Sequence, residues 1–247
     1  MNIIKLNAID STNSYLKSLA NETTIESYTV VVAKHQTEGR GQVGSKWVSE
    51  NGKNLMFSVL INFENFKIEH QFYISMAVSL GVLETVKNTV KSSFFVKWPN
   101  DIMADKDKVA GILIENVLKG DTIKYSVIGV GLNVNQEQFP SDIGKVNSLK
   151  NISGINFNLD ELLKITINNI NIYIDIIKRN EFKKIKQLYV ASLYKFNKPV
   201  MFEDNNKTIF LGKIIDIYND GKLVVELENK TTRKFNLKEI KFASRIN

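Results

Sequence analysis

The sequence contains no cysteine. Disulfides, thiolate metal ligands and cysteine nucleophiles are thereby excluded, and a reducing compartment such as the cytoplasm is the expected setting. Histidine is nearly as scarce: the 2 present, His35 and His70, form no metal-binding spacing and no serine–histidine–acid arrangement. With 3 prolines and 13 glycines there is little material for long flexible linkers. No apolar run approaches bilayer-spanning length, and Met1–Leu6 lacks the apolar stretch and cleavage site of a signal peptide. A soluble protein without membrane association is expected.

What is present suits a folded enzyme-sized chain. The 247 residues are enough for one large core or a core with a small module, and 43% hydrophobic with 24% charged residues is ordinary for a globular protein. The net charge of +7 is unevenly placed: from residue 160 onward 17 Lys and Arg face 11 Asp and Glu, against 16 and 15 before it. A basic surface can attract nucleic acid, membrane or an acidic protein. No basic run is interleaved with aromatics, so a lysine-rich solvated face is the preferred reading.

Periodicity divides the chain. Asn2–Leu6 and Tyr28–Lys34 read as strands around a helix from Thr12 to Ala20, with Asp10 or Ser11 as N-cap. A glycine-rich polar stretch, Gln36 to Lys53, precedes a strand at Asn54–Ile61, and a connection that long is usually functional or disordered. Gln71–Val90 reads as a helix with one apolar stripe, then strands at 94–98, 102–104, 109–118 and 122–133, and helices at 159–177 and 182–194. From Lys198 onward short strands alternate with Asn/Asp/Gly turns. The expected division is a main domain over 1–196 and a small β-barrel over 197–247.

Five segments carry chemistry-bearing residues. Gly39, Gly41 and Gly44 form a literal G-x-G-x-x-G, but no helix starts there, so the dinucleotide fingerprint fails. A phosphate-binding P-loop fails too, because Ser45-Lys46 reverses the required order. What survives is a loop with Arg40, Lys46 and Trp47 in which glycine permits close backbone approach and arginine can grip carboxylate or phosphate. Such a loop can order over a substrate and exclude water; an ordinary surface loop is the plain alternative. Lys97-Trp98-Pro99-Asn100-Asp101 presents an amide and a carboxylate at a bend, although a packed tryptophan beside a polar turn is simpler. Lys108 stands before the small pair Ala110-Gly111, and taken alone reads as a solvated hairpin lysine. Strand alternation puts Gly129, Gly131 and Asn133 on one face, which a flat ligand lying there would explain; a bulge would account for the glycines alone but not for the aligned asparagine. Ser11, Thr12 and Asn13 sit at a helix start, where simple capping competes with ligand binding.

In combination these segments are specific. Asp10-Ser11-Thr12-Asn13, Gln36-Thr37-Glu38-Gly39-Arg40-Gly41, Lys97 to Asp101, Lys108 to Glu115 and Gly129 to Asn133 resemble, in order, the signature segments of biotin–protein ligases. The terminal barrel belongs to that family as well. The resemblance implies an α+β fold like the class II aminoacyl-tRNA synthetases, a mixed sheet flanked by helices, with a small C-terminal SH3-like β-barrel. It implies activation of biotin by ATP as biotinyl-5'-AMP, then transfer to a lysine of a biotin carboxyl carrier protein. Ser11, Thr12 and Gln36 would meet the ureido ring. Asn13, Gly39, Gly41, Gln42, Gly111, Gly129 and Gly131 would complete the ligand site. Arg40 and Lys108 would supply positive charge in the first step. Asn100 and Asn133 would serve ATP and its Mg²⁺, with Trp47 near the adenine, and Asp101 would orient the incoming lysine.

Two departures stand out. Many members carry arginine where this chain has Gln42 and Ser45. Some also have an N-terminal DNA-binding domain, for which the first signature, beginning at Asp10, leaves no room; a ligase without DNA binding is expected, and a homodimer by family likeness. The closest rival is a lipoate-type acyl-adenylate ligase. A non-enzymatic nucleic-acid module is the rival of another class, and leaves the clusters before Leu159 unexplained.

Overall fold

The start of strand Thr29–Gln36 contains the unbroken apolar run Val30–Ala33, which needs cover on both faces; the computed structural model, which describes residues 2–42 and 44–243, provides it. In chain order the first elements are β1 (Asn2–Ile9), α1 (Thr12–Glu22), β2 (Thr29–Gln36), β3 (Leu55–Lys67) and α2 (Gln71–Thr89). Strands β4 (Phe94–Lys97), β5 (Asp101–Ala104), β6 (Asp107–Lys119) and β7 (Thr122–Leu132) follow, then helices α3 (Leu149–Ser153), α4 (Leu159–Lys178) and α5 (Phe182–Ala191). Five short strands end the described chain: β8 (Pro199–Asp204), β9 (Ile209–Ile217), β10 (Leu223–Leu227), β11 (Thr232–Phe235) and β12 (Ile240–Phe242). Sequence periodicity located every strand but β12 and every helix but α3, both too short to show a period.

The first seven strands form one mixed sheet in the order β1-β2-β3-β7-β6-β5-β4. Only β1 and β2 are parallel, joined by α1; the other pairs are antiparallel. Alternation sorts side chains between two layers. Leu55, Phe57, Val59, Ile61, Ile128, Val130 and Leu132 face the larger core under α2, α4 and α5. On the opposite face Val31, Leu60, Tyr125 and Val127 pack on Leu16 of α1. Because α1 is short, it leaves part of that second face bare. This fold is the mixed α+β sheet flanked by helices that the resemblance implies. The second sheet, β11-β10-β9-β8-β12, is wholly antiparallel and forms the SH3-like unit.

Helix α2 departs from the expected one-sided stripe: Tyr73, Ala77, Val78, Ser79, Gly81 and Val82 are buried along with Met76, Leu80, Leu83 and Val86. Its middle, Met76 to Leu83, is buried all round between the sheet and α4, and only residues near its ends, Gln71, Lys87 and Asn88, are exposed. Gly81 permits the closest approach: a Cβ there would stand 2.6 Å from Ile170 Cα and 2.7 Å from its nitrogen. Helix propensity favours Gly81→Ala by ~1 kcal/mol, whereas overpacking against backbone costs ~1–3 kcal/mol. The variant is expected to melt several degrees lower, at roughly 2–4 °C per kcal/mol for a chain of this size. An unchanged or raised melting temperature in calorimetry would contradict that packing.

The two sheets meet through specific contacts. Trp98 Nε1 donates to the Gly221 carbonyl at 2.9 Å in the β9–β10 turn, and the Phe72 ring lies where a Gly221 side chain would stand. The Trp98–Pro99 peptide is cis. The Tyr189 hydroxyl, buried on α5, donates to the Pro99 carbonyl at 3.1 Å; burial pushes its phenol far above the usual range, so it keeps its proton.

Candidate active site

The bare part of the sheet is paved by small residues in two rows that cross the strands. Pairing sets Ser58 opposite Gly129 and Gly129 opposite Leu113. Two residues along, Met56, Gly131, Gly111 and Asp101 line up in the same way. All lie on the α1 face by alternation. Above them is a cleft of about 300 Å³, the size of a small-ligand site.

One end of the cleft is polar and buried. Ser11, Thr12 and Asn13 open α1 and are buried. Thr12 N and Oγ1 both reach Gln36 Oε1, at 2.8 and 3.0 Å. Ser58, wholly buried on β3, is 2.7 Å from Thr12 Oγ1 and 2.5 Å from Asn13 Oδ1. An amide oxygen only accepts, so the single Ser58 proton goes to Asn13, and the Thr12 proton serves Ser58 or Gln36. Asn13 Nδ2 donates onward to Glu115 Oε2 at 2.9 Å.

The other end is cationic. Arg40 Nη2 donates to Glu115 Oε2 at 2.8 Å, with Lys17 Nζ 3.7 Å from the second oxygen. Lys108 Nζ pairs with Asp101 Oδ1 at 2.6 Å, the two side chains 29% and 21% exposed. The same ammonium lies 5.6 Å from the centre of the Trp47 ring. Trp47 rests on Gly131, where any Cβ would overlap the indole, and its Nε1 is buried without a partner among the described residues.

The loop that carries Arg40 is pinned at its base rather than splayed. Trp47 N donates to Gly39 O at 2.8 Å, Gly41 N to Ser45 O at 2.7 Å, and Arg40 bridges Lys46. A Cβ at Gly39 would strike the Trp47 carbonyl. Glycine is required at this neck by close backbone approach.

A sequence profile of the biotin/lipoate A/B protein ligase family matches residues 6–133. The chain belongs to that family. A second profile, of the biotin protein ligase C-terminal domain, matches residues 195–240. A biotin protein ligase from Aquifex aeolicus in complex with biotin and ATP is similar over 98% of this chain and 99% of its own, at 28% identity and a TM-score of 0.80. The bifunctional ligase/repressor of Escherichia coli is 27% identical over 222 residues, 90% of this chain and 68% of that protein. The Bacillus subtilis ligase/repressor is 29% identical over 62% of this chain, which spans 47% of that relative's length.

Within this biotin/lipoate ligase fold the sequence-identified residues converge. Ser11, Thr12, Asn13, Gln36, Arg40, Gly41, Gln42, Trp47, Asn100, Asp101, Lys108, Gly111, Gly129 and Gly131 all line the cleft. Gly39 does not; it forms the loop neck. Asn133 does not either, contrary to its alignment with the two glycines. Strand β7 ends at Leu132, and the Asn133 side chain, 2% exposed, turns to donate to Asn147 O at 3.1 Å. Its Oδ1 is buried with no partner among the described residues. The glycines serve side chains of the protein itself, Asn13 over Gly129 and Trp47 over Gly131.

Sequence reasoning missed three contributors. Ser58 is the one hydroxyl in the apolar run Leu55–Ile61, and that oddity was the available signal. Glu115 stands in a recognised segment, but its partners Asn13 and Arg40 are 102 and 75 residues away. The segment after β7 places Ile143 in the cleft wall and docks beside β6, with Lys108 N donating to Lys145 O at 2.9 Å.

Proposed function

We propose that the protein is a biotin–protein ligase, joining biotin to ATP as biotinyl-5'-AMP and passing the acyl group to a carrier-protein lysine. The polar floor carries this reading. A ureido ring presents N–H donors and a carbonyl acceptor, which the Thr12, Ser58, Asn13 and Gln36 cluster can match. The dithiolane end of lipoate has no hydrogen-bonding group and would leave such a floor unpaired, so biotin is favoured over the lipoate alternative. Similarity to the Aquifex ligase bound to biotin and ATP supports the same choice.

In the first step a carboxylate oxygen attacks the α-phosphorus and the bond to the β-phosphate oxygen breaks, releasing pyrophosphate. Two anions must meet, and Arg40 and Lys108 flank the cleft with the charge to hold them. In the second step an amine attacks the acyl carbon, AMP departs with the bonding pair, and the amine gives up a proton. Asp101 already holds one ammonium, that of Lys108; once phosphate draws Lys108 away, its carboxylate is placed to orient the carrier lysine.

Mg²⁺ accompanies ATP in this reading. Among the described residues no group of three His, Asp or Glu side chains could hold a metal ion, so the nucleotide's phosphates supply most ligands. Asn133, expected to serve the cation, lies outside the cleft with its amide given to Asn147 O, so it is not placed to meet Mg²⁺, which would neutralise phosphate charge. Asn100 is committed by its amide to Ile112 O at 2.7 Å and shapes the nucleotide end.

The proposal extends to a cytoplasmic location, a 1–196 and 197–247 domain division, a homodimer by family likeness, and no DNA binding. Among the described residues no helix is long and apolar enough to cross a membrane. Much of the positive charge of the small sheet is locally paired: Lys207, Lys213, Lys222, Lys230, Arg233 and Lys241 each lie within 4 Å of one of the carboxylates Glu203, Asp204, Asp220 and Glu226. Sequence-specific retardation of DNA at moderate salt would overturn the last point.

The deciding experiment is biotin-dependent pyrophosphate release followed by labelling of a carrier-protein lysine. Release that responds to lipoate and not to biotin would reject the reading. Gln42 and Ser45 both border the cleft, where arginines would add two grips on phosphate. The Gln42→Arg/Ser45→Arg double variant is therefore expected to label bystander lysines about tenfold less, at ~1.4 kcal/mol of added adenylate retention. Equal stray labelling of a bystander protein by both forms would remove those two positions from the account.

A further inference from the structure

Glu115 is the point at which the two ends of the cleft join. Its carboxylate is 21% exposed and takes Asn13 Nδ2 at 2.9 Å and Arg40 Nη2 at 2.8 Å on the same oxygen. On one side a chain of hydrogen bonds runs from Ser58 through Asn13 to this oxygen. On the other, the carboxylate fixes the guanidinium that the ligase reading assigns to phosphate. The Asn13 amide has its remaining proton near Leu113 O, at 3.4 Å, so its orientation is set by β6.

We propose that Glu115 is a positioning residue that couples the ureido floor to Arg40; this rests on the ligase reading for the identity of the ligands. With the cleft free of anion, Glu115 neutralises Arg40 and holds it over the sheet. A ligand on the floor that draws on Asn13 or Ser58 changes the hydrogen bonding at Glu115 Oε2, and with it the hold on Arg40. Hydrogen bonds in such chains polarise one another, which makes the shared oxygen the sensitive position. Glu115 touches no reacting atom; it acts through Asn13 and Arg40.

Glu115→Gln tests this, since its amide oxygen can still accept from Asn13 but no longer carries the charge that holds Arg40. Biotin affinity is expected to stay within about twofold, whereas KM for ATP in pyrophosphate release rises about tenfold, as loss of a charge-assisted hydrogen bond implies. In an Arg40→Ala background the same substitution is expected to add nothing. Glu115→Ala, which loses both contacts, is expected to weaken biotin as well. A second arm needs no turnover: phenylglyoxal modification of Arg40, followed by peptide mass spectrometry, is expected to run about fivefold faster in Glu115→Gln, since the hold on the guanidinium is weaker. An unchanged ATP KM, or a full effect without Arg40, overturns the coupling. Absence of biotin-dependent release in the unaltered protein rejects the ligase reading instead, and the phenylglyoxal rates then decide alone whether Glu115 holds Arg40.

Discussion

Replacing Lys108 with alanine is expected to lower biotin-dependent pyrophosphate release by about a hundred- to a thousandfold, the usual cost of one preorganised charge at a developing anion. The geometry makes this the largest single effect. Lys108 is anchored by Asp101 at 2.6 Å, braced by the Trp47 ring at 5.6 Å, and backed by the segment at Lys145 through its own N–H. Its ammonium is therefore already at the cleft before any ligand arrives and has only to shift from Asp101 to phosphate as charge builds. Glycine at 111 leaves the space it occupies. Arg40→Ala should also lose activity, but less, because its guanidinium is 44% exposed and its charge is more screened by solvent. Full activity in both variants would refute the site; thermal melts that match the parent would show that any loss is chemical.

Gly131→Ala is expected to weaken biotin binding by about ten- to a hundredfold with little loss of fold stability. The added methyl overlaps indole atoms Cδ2, Cε2 and Cζ2 of Trp47. Overpacking of this kind costs ~1–3 kcal/mol, and the loop bearing Trp47 can yield where the central strand cannot. The indole then tips into the cleft or away from it, and either change spoils the wall that faces the ligand. Only 2 tryptophans are present, so emission should report the displacement directly. Unaltered affinity together with an unaltered spectrum would show that the ring does not depend on that glycine.

The fold was legible where local periodicity and burial agree. The β-branched run Val30–Val32 and the apolar runs of β6 and β7 announce themselves as strands, and the turn residues after Lys198 mark a second unit. Legibility fails where function depends on register. Ser58 looks like a flaw in an apolar strand until pairing sets it beside Gly129. Glu115 means nothing without Arg40 and Asn13, which arrive from distant elements. Trp47 is seated on a glycine 84 residues later, a contact that no local pattern announces. Asn133 failed differently: two-residue alternation was carried one residue past the end of β7.

The two rows of small residues across the sheet also limit how the gene can drift in length. Strand faces swap with every single-residue slip, so one inserted or deleted codon within the paired part of β7 would send Gly129 and Gly131 into the helical core and present Ile128 and Val130 to the cleft. Two of the sheet's irregularities, between Asn62 and Phe66 in β3 and between Val117 and Leu118 in β6, lie beyond the paved region, and the third, between Ile102 and Met103 in β5, falls just past its last residue, Asp101. Length changes should thus accumulate at the hairpin end of β6 and β7 and be absent between Met56 and Ser58, Gly111 and Leu113, and Gly129 and Gly131, where the spacing of the cleft is written in whole residues.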